Sequence, residues 1–364
     1  MLRKTWLEIN LDNLEHNCRY FIEHTQKKLI AVIKANGYGC CDEEVAKVAL
    51  QAGASMLAVS SLDEAMALRN AGIKAEILIL GYVEPRDAKI LIKNDLATSV
   101  VSLQWVLEVI KYDISDLKIH LKVDTGMNRI GIKDIEQLKK AYTLLQQADA
   151  KVEGIFTHYA CSDEDPKVKT DAQFTAFKKA YEALDGDFKY IHCDNSDAAI
   201  DYAEDLTNTI RVGIGLFGYC TNPTNLKSVV SLYTTIVNVK TVAPEETIGY
   251  GATYKCEKPE IIATLPIGYA DGFIRRNSGR QVYVDGEFAT IVGRVCMDQC
   301  MIKLSRNLPV GTVVELIGEH ISIQQMAREL DTIVHEIMTN FNERLTRRYI
   351  KDHQEYLIIN KRVF

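Results

Sequence analysis

Eight short runs of apolar, largely β-branched residues recur through the first two thirds of the chain, at 29–33, 56–59, 77–80, 98–101, 119–123, 152–157, 190–193 and 210–216. Between them lie longer segments with apolar residues at three- and four-residue spacing, among them 42–51, 62–70, 134–147 and 171–184. Eight strands separated by helices is the arithmetic of an α/β fold closed as a (β/α)8 TIM-type barrel. Periodicity alone does not prove closure, so an open doubly wound sheet is the runner-up. An amphipathic segment over 9–21 precedes the first run.

After about Pro223 the rhythm changes to strands and turns. Asp285-Gly286 between two alternating runs is a strong hairpin signal, and one helix is expected around 322–330. The expected division is a barrel domain over 1–225, whose first ten residues pack with the other domain, and a mostly β C-terminal domain over 226–364. No flexible Gly/Ser linker separates them, so they are expected to be packed together.

A length of 364 residues suits two domains, and 47% hydrophobic residues with a net charge of -6 describe an ordinary globular protein. No basic block offers a footprint for nucleic acid, and no apolar run is long enough for a membrane span. The start, Met1-Leu2-Arg3-Lys4-Thr5-Trp6, lacks the features of a signal peptide, which predicts cytoplasmic residence. Nine cysteines in no paired framework read as reduced, mostly buried thiols, and no metal site is expected.

In such a barrel catalytic groups gather where strands end and lead into helices. Polar clusters fall there: Lys34 follows the first run, Lys122, Asp124 and Arg129 close the fifth, His158 closes the sixth, His192, Asn195 and Ser196 close the seventh, and Arg211 and Gly213 lie within the eighth. A lysine at the end of a buried strand is usually a snorkelling cation. Its functional reading is a Schiff base, because partial burial favours the nucleophilic free amine.

Lys34-Ala35-Asn36-Gly37-Tyr38-Gly39, Lys122-Val123-Asp124-Thr125-Gly126-Met127-Asn128-Arg129-Ile130-Gly131, Gly249-Tyr250-Gly251-Ala252-Thr253-Tyr254, Pro266-Ile267-Gly268-Tyr269-Ala270-Asp271-Gly272 and Gly293-Arg294-Val295-Cys296-Met297-Asp298-Gln299 resemble, in order, the signatures of the alanine racemase family. The resemblance implies pyridoxal 5'-phosphate held by Lys34, with Lys34 and Tyr250 as the two acid/base groups. Removing a proton from one face of the α-carbon and returning it on the other calls for two such groups. The family places the tyrosine on the partner subunit, which implies a homodimer with shared active sites and a small amino-acid substrate.

The same resemblance assigns Arg211 to the pyridine nitrogen, with His192 behind it; a donor-only guanidinium leaves that nitrogen unprotonated. His158 and Arg211 are candidates to assist Tyr250. Phosphate recognition falls to Tyr38, Ser196, Gly213 and Ile214, with Ser196 read as an N-cap of a helix over 197–202. Arg129, Met297 and Tyr269 are implied at the substrate, Asp298 in their support, and Lys122 matches a position often carbamylated.

Four residues depart from the family pattern. Gly37 replaces an alanine, Asn128 a glycine, Gly249 a serine and His335 a tyrosine that gates the pocket and contacts the phosphate. Asn tolerates positive φ, so Asn128 fits the same turn. His335 opens an alternative to L- and D-alanine interconversion: a serine or broad-specificity racemase. A non-catalytic cofactor carrier is a further alternative, opposed by the second domain, as is a barrel decarboxylase of basic amino acids, opposed by the setting of Cys296 and Cys300.

Overall fold

The computed structural model describes residues 3–202, 204–222 and 224–360. Met1, Leu2 and Pro223, where the sequence rhythm changes, lie outside the described residues. The chain divides into two compact units, Asn13–Lys227 and the residues up to Asp12 together with those from Ser228 onward.

In the first unit eight parallel strands, Lys28–Val32, Met56–Val59, Ile77–Ile79, Leu96–Val100, Lys118–Lys122, Lys151–Phe156, Tyr190–His192 and Thr209–Val212, pair in chain order. The last also pairs with the first, Lys28 with Thr209 through Ala31 with Val212, so the sheet is a closed barrel and not an open one. These strands are covered on both faces, which is why they read as apolar runs. Ile30, Val32, Met56, Ala58, Leu78, Ala97 and Tyr190 pack as one core cluster.

The strands end earlier than the apolar runs suggest, because hydrophobicity continues into buried residues just past the strand ends, such as Ile33, whose amide still donates to Ala58 O at 2.9 Å. Ile33 is already the residue before the Lys34 turn, and the expected strand over 210–216 stops at Val212 and tightens into a 3-10 turn, Ile214–Phe217. The amphipathic segment over 9–21 is likewise two elements, a strand Thr5–Asn10 and a helix Leu11–Thr25. The alternation of Leu7 and Ile9 with Glu8 and Asn10 is the strand signal at the start of this stretch.

The second unit is mostly β. Thr5–Asn10 lies in a ten-stranded sheet, antiparallel to Val230–Thr235 and parallel to Thr346–Lys351. Asp285 and Gly286, both at positive φ, make the expected two-residue hairpin between Gln281–Val284 and Glu287–Val292. Ser322 caps the expected helix, Ile323–Leu330, and a second short helix, Val334–Asn340, follows it unforeseen. A separate ribbon pairs Thr247–Ile248 with Tyr254–Lys255 and carries Tyr250 in its connecting turn. Among the described residues no helix is long and apolar enough to cross a membrane.

Candidate active site

Lys34 is half-buried where the first barrel strand ends. Burial, reinforced by the Arg129 guanidinium and opposed by Glu64, lowers its pKa and favours the free amine. The four residues after it all have left-handed φ: Ala35 55°, Asn36 55°, Gly37 60° and Tyr38 53°. Left-handed geometry costs most non-glycine residues roughly 1–2 kcal/mol and asparagine less, so Ala35 and Tyr38 above all are held against their own preference by their surroundings. The turn closes on itself through Gly37 N–H to Ile33 O at 2.9 Å, Gly39 N–H to Ala35 O at 3.1 Å and Cys41 N–H to Asn36 O at 2.9 Å.

This turn delivers the buried Tyr38 hydroxyl to Gly213. A Cβ placed on Gly213 would lie 2.3 Å from that oxygen, so no other residue fits without displacing it. Ser196 completes the cradle, its Oγ accepting the amides of Gly213 at 3.3 Å and Gly215 at 3.1 Å. The N-cap reading of Ser196 is therefore wrong: the helical turn is only Ala198–Asp201, and Asn195 Oδ1 accepts the Ala198 amide at 3.1 Å in the capping role. The asparagine side chain one residue closer to the strand takes that amide instead. Ile214 opens the 3-10 turn, where the first amides have no acceptor within the turn. A phenol, a serine hydroxyl and backbone amides around a glycine that tolerates no side chain suit a phosphate. Gly213→Ala is expected to displace the Tyr38 hydroxyl and weaken the hold of this cradle on a phosphate-bearing ligand about tenfold or more, read by absorbance titration with pyridoxal 5'-phosphate as the probe.

Arg211 is fully enclosed behind the rim. Its Nη1 donates to His192 Nδ1 at 2.8 Å and His192 O at 2.9 Å; its Nη2 donates to Thr157 O at 2.7 Å, Cys193 O at 3.0 Å and His158 Nδ1 at 3.2 Å. With both terminal nitrogens engaged, Nε–H is the donor left for a ligand. Burial brings the guanidinium pKa down to about 10, still a cation at neutral pH, while burial and the same cation hold His158 and His192 well below the usual histidine range. Both imidazoles are neutral, and the tautomers follow from the bonding. Because arginine only donates, His192 Nδ1 accepts and His192 Nε2–H points at His120 Nδ1, 2.9 Å away.

His120 is absent from the expected site. It is fully buried inside the barrel, with its pKa brought down to about 3 mainly by burial, and Gly154 makes room for it. Its signal was present in the sequence: His120 and Lys122 alternate with Ile119 and Leu121, so both point to the face opposite the apolar pair. Lys122 is buried with its amine 4.8 Å over the Phe156 ring, and burial followed by Arg211 brings its pKa down to about 7. Asp124 is engaged elsewhere, its Oδ1 accepting the amides of Gly126 and Asn128 at 3.0 Å each. Asn128 has the expected positive φ, 56°, and lines a concavity with Tyr82, Ser102, Asp124 and Arg129.

Arg129 acts electrostatically on Lys34, Lys122 and His158. Lys34, Lys122, Arg129 and Arg211 thus surround one rim, a field made for an anion.

In the second unit Tyr250 is 71% exposed. Its flanking Gly249 and Gly251 have φ of 70° and 73°, and a Cβ on Gly251 would meet the Arg294 guanidinium at 2.8 Å. Tyr250, Tyr269, Arg275 and Arg294 line one concavity of about 340 Å³. Met297 and Tyr269 are exposed beside each other, their loops joined by Ala270 N–H to Met297 O at 3.0 Å. Asp298 accepts from Arg344 Nη2 at 2.7 Å. His335 is exposed in the first turn of Val334–Asn340, outside that concavity's lining.

The barrel rim brings together a lysine whose free amine is favoured, a donor-only arginine and a cradle suited to an anion, groups that fit enzyme chemistry on a small molecule. Residues 9–221 match the alanine racemase N-terminal domain model and 229–349 the C-terminal domain model. The chain is 42% identical to the alanine racemase of Geobacillus stearothermophilus, over 96% of this chain and 94% of that one. Its structure is similar to that of the Bacillus anthracis alanine racemase with bound L-Ala-P, with a TM-score of 0.95, 39% identity, and 99% and 98% of the two chains covered. It is also similar to a histidine racemase from Leuconostoc mesenteroides subsp. sake, with a TM-score of 0.90, 30% identity, and 96% and 99% covered. The chain belongs to the alanine racemase family and is an amino-acid racemase, an isomerase.

Proposed function

We propose that the chain interconverts L- and D-alanine with pyridoxal 5'-phosphate, as a cytoplasmic homodimer that supplies D-alanine for cell-wall peptide. The observation that carries this reading is the rim itself, where the Lys34 amine, the Arg211 Nε–H and the Tyr38–Ser196–Gly213 cradle offer the three groups such a cofactor needs. When bound, the cofactor supplies an electron sink that acidifies the substrate's α-hydrogen. Lys34 Nζ takes or returns that proton on one face. Tyr250 Oη, from the second copy, does so on the other. Arg211 would face the ring nitrogen as a donor that cannot protonate it, which would limit electron withdrawal, and the His192–His120 pair holds Arg211. Arg129 and the Met297 amide bind the substrate carboxylate, Tyr269 lines its approach, and Asp298 steadies the Met297 loop through Arg344.

Purified protein incubated with L-alanine or D-alanine in deuterated water is expected to lose optical activity and the α-proton together from either enantiomer; no loss from either refutes the proposal. Alanine is the expected substrate despite His335, because the exposed imidazole stands outside the concavity that holds Tyr250 and Tyr269. The same assay with L-serine, on the parent and on His335→Tyr, tests this. A shift in relative kcat/KM beyond about tenfold would make His335 a specificity determinant, since a methyl against a hydroxymethyl group is worth roughly 1–3 kcal/mol.

The free amine that burial favours at Lys122 is the form that reacts with carbon dioxide, and Arg211 and Arg129 would stabilise the resulting anion. A carbamate at Lys122 is therefore expected. With 13C-labelled bicarbonate it gives a carbonyl resonance that disappears in Lys122→Ala; the same spectrum from parent and variant would contradict it.

A further inference from the structure

The turn behind Lys34 is tied down by a side chain to which the scheme above gives no role. Glu64, in the first turn of the helix Leu62–Asn70, accepts the Ala35 amide on Oε1 at 2.7 Å and the Ser60 amide on Oε2 at 2.7 Å. Ser61 to Glu64 has capping-box spacing, and Ser61 Oγ accepts the Glu64 amide at 3.3 Å. The return bond of such a box would go to the Ser61 amide. Here the carboxylate reaches past it, to Ser60 just after the second barrel strand and to Ala35 just after Lys34.

We propose that Glu64 is a positioning residue for the racemase site: its carboxylate bridges the Ala35 and Ser60 amides and fixes the left-handed turn that sets the Lys34 amine and the Tyr38 hydroxyl at the separation the cofactor needs. The proposal rests on the reading of Lys34 as the cofactor lysine. The bonds inside the turn satisfy the amides of Gly37, Gly39 and Cys41, whereas the Ala35 amide, the first in the turn, is taken by Glu64. Three non-glycine residues in left-handed geometry need such an external tether. The same carboxylate is the anion that acts on the Lys34 amine, against burial and the Arg129 guanidinium. Geometry and charge at Lys34 thus depend on one side chain whose two oxygens both go to backbone amides.

Two substitutions separate these effects. Glu64→Gln removes the charge and presents one oxygen, so it can accept only one of the two amides. Glu64→Asp keeps the charge on a shorter arm that cannot span both. Ser61→Ala removes the helix cap alone and is the control for lost stability.

The full chain, stripped of cofactor, is titrated with pyridoxal 5'-phosphate, recording Kd, the pH midpoint of the capture rate and Tm. Glu64→Gln is expected to raise Kd about tenfold or more and to move the midpoint to lower pH, because an anion next to the amine is lost. Glu64→Asp should raise Kd with the midpoint held, and Ser61→Ala should lower Tm with Kd and midpoint held. Unchanged Kd and midpoint in both Glu64 variants would overturn the proposal, as would a Ser61→Ala protein of matched Tm loss that reproduces the weaker binding. If Glu64→Gln does not fold, Glu64→Asp decides alone through Kd. A parent chain that never captures the aldehyde sinks the reading of Lys34 and this proposal with it, an outcome distinct from parent-like capture by the variants.

Discussion

Lys34→Ala is expected to abolish the visible absorbance of bound cofactor and to cut racemisation by about ten-thousand-fold or more, since one substitution removes both the covalent attachment and a proton-transfer group. The phosphate cradle of Tyr38, Ser196 and Gly213 does not involve the Lys34 side chain, so weak binding of the cofactor without its shifted band should survive. Absorbance and activity measured on the same sample check both halves. A variant that keeps the shifted band would place the attachment on another amine. Lys122 is the neighbouring candidate, its pKa also brought down by burial.

Tyr250→Phe has the second-largest expected effect and a different signature. The cofactor band should remain, because the proposed attachment is the Lys34 amine, whereas Tyr250 lies on a ribbon turn of the second unit. Racemisation should fall by about a hundredfold to ten-thousand-fold, the usual contribution of a positioned acid or base. The loss should be uneven. Exchange of the α-proton with solvent should persist from the enantiomer whose proton faces Lys34 and fail from the other. A symmetrical loss would mean that the phenol serves both directions by shaping the site and carries no proton itself.

The barrel was legible because each strand is buried on both faces and so forms a continuous apolar run flanked by helical periods. Strand ends were not, since Ile33 and Leu216 are as hydrophobic and as buried as the ladder residues before them. The site was legible where a side chain's chemistry is unusual for its place, as with Lys34 just past one apolar run and Arg211 within another. It was illegible where function lies in backbone geometry: nothing in Ala35-Asn36-Gly37-Tyr38 announces four consecutive left-handed residues. Ser196 was misjudged for a related reason. Its Oγ reaches two amides that are 17 and 19 residues away in the chain, and local capping rules see only the turn that follows it.

His120 could have been found from strand alternation alone. Glu64 could not, because its short-range pattern matches an ordinary helix cap. Only the three-dimensional approach of the first two strand ends shows where its second oxygen goes.

The central claim is that an amine from one copy and a phenol from another act on the same carbon. Mixing purified Lys34→Ala with Tyr250→Phe under conditions that let subunits re-pair tests it most directly. If the site is shared, each hybrid dimer has one site with both residues intact and one with neither. Activity should then rise from near zero to about a quarter of the parent rate, because half of randomly paired dimers are hybrids with one working site of two. If each chain works alone, every site keeps one defect, and a mixture no more active than its two components would contradict the account.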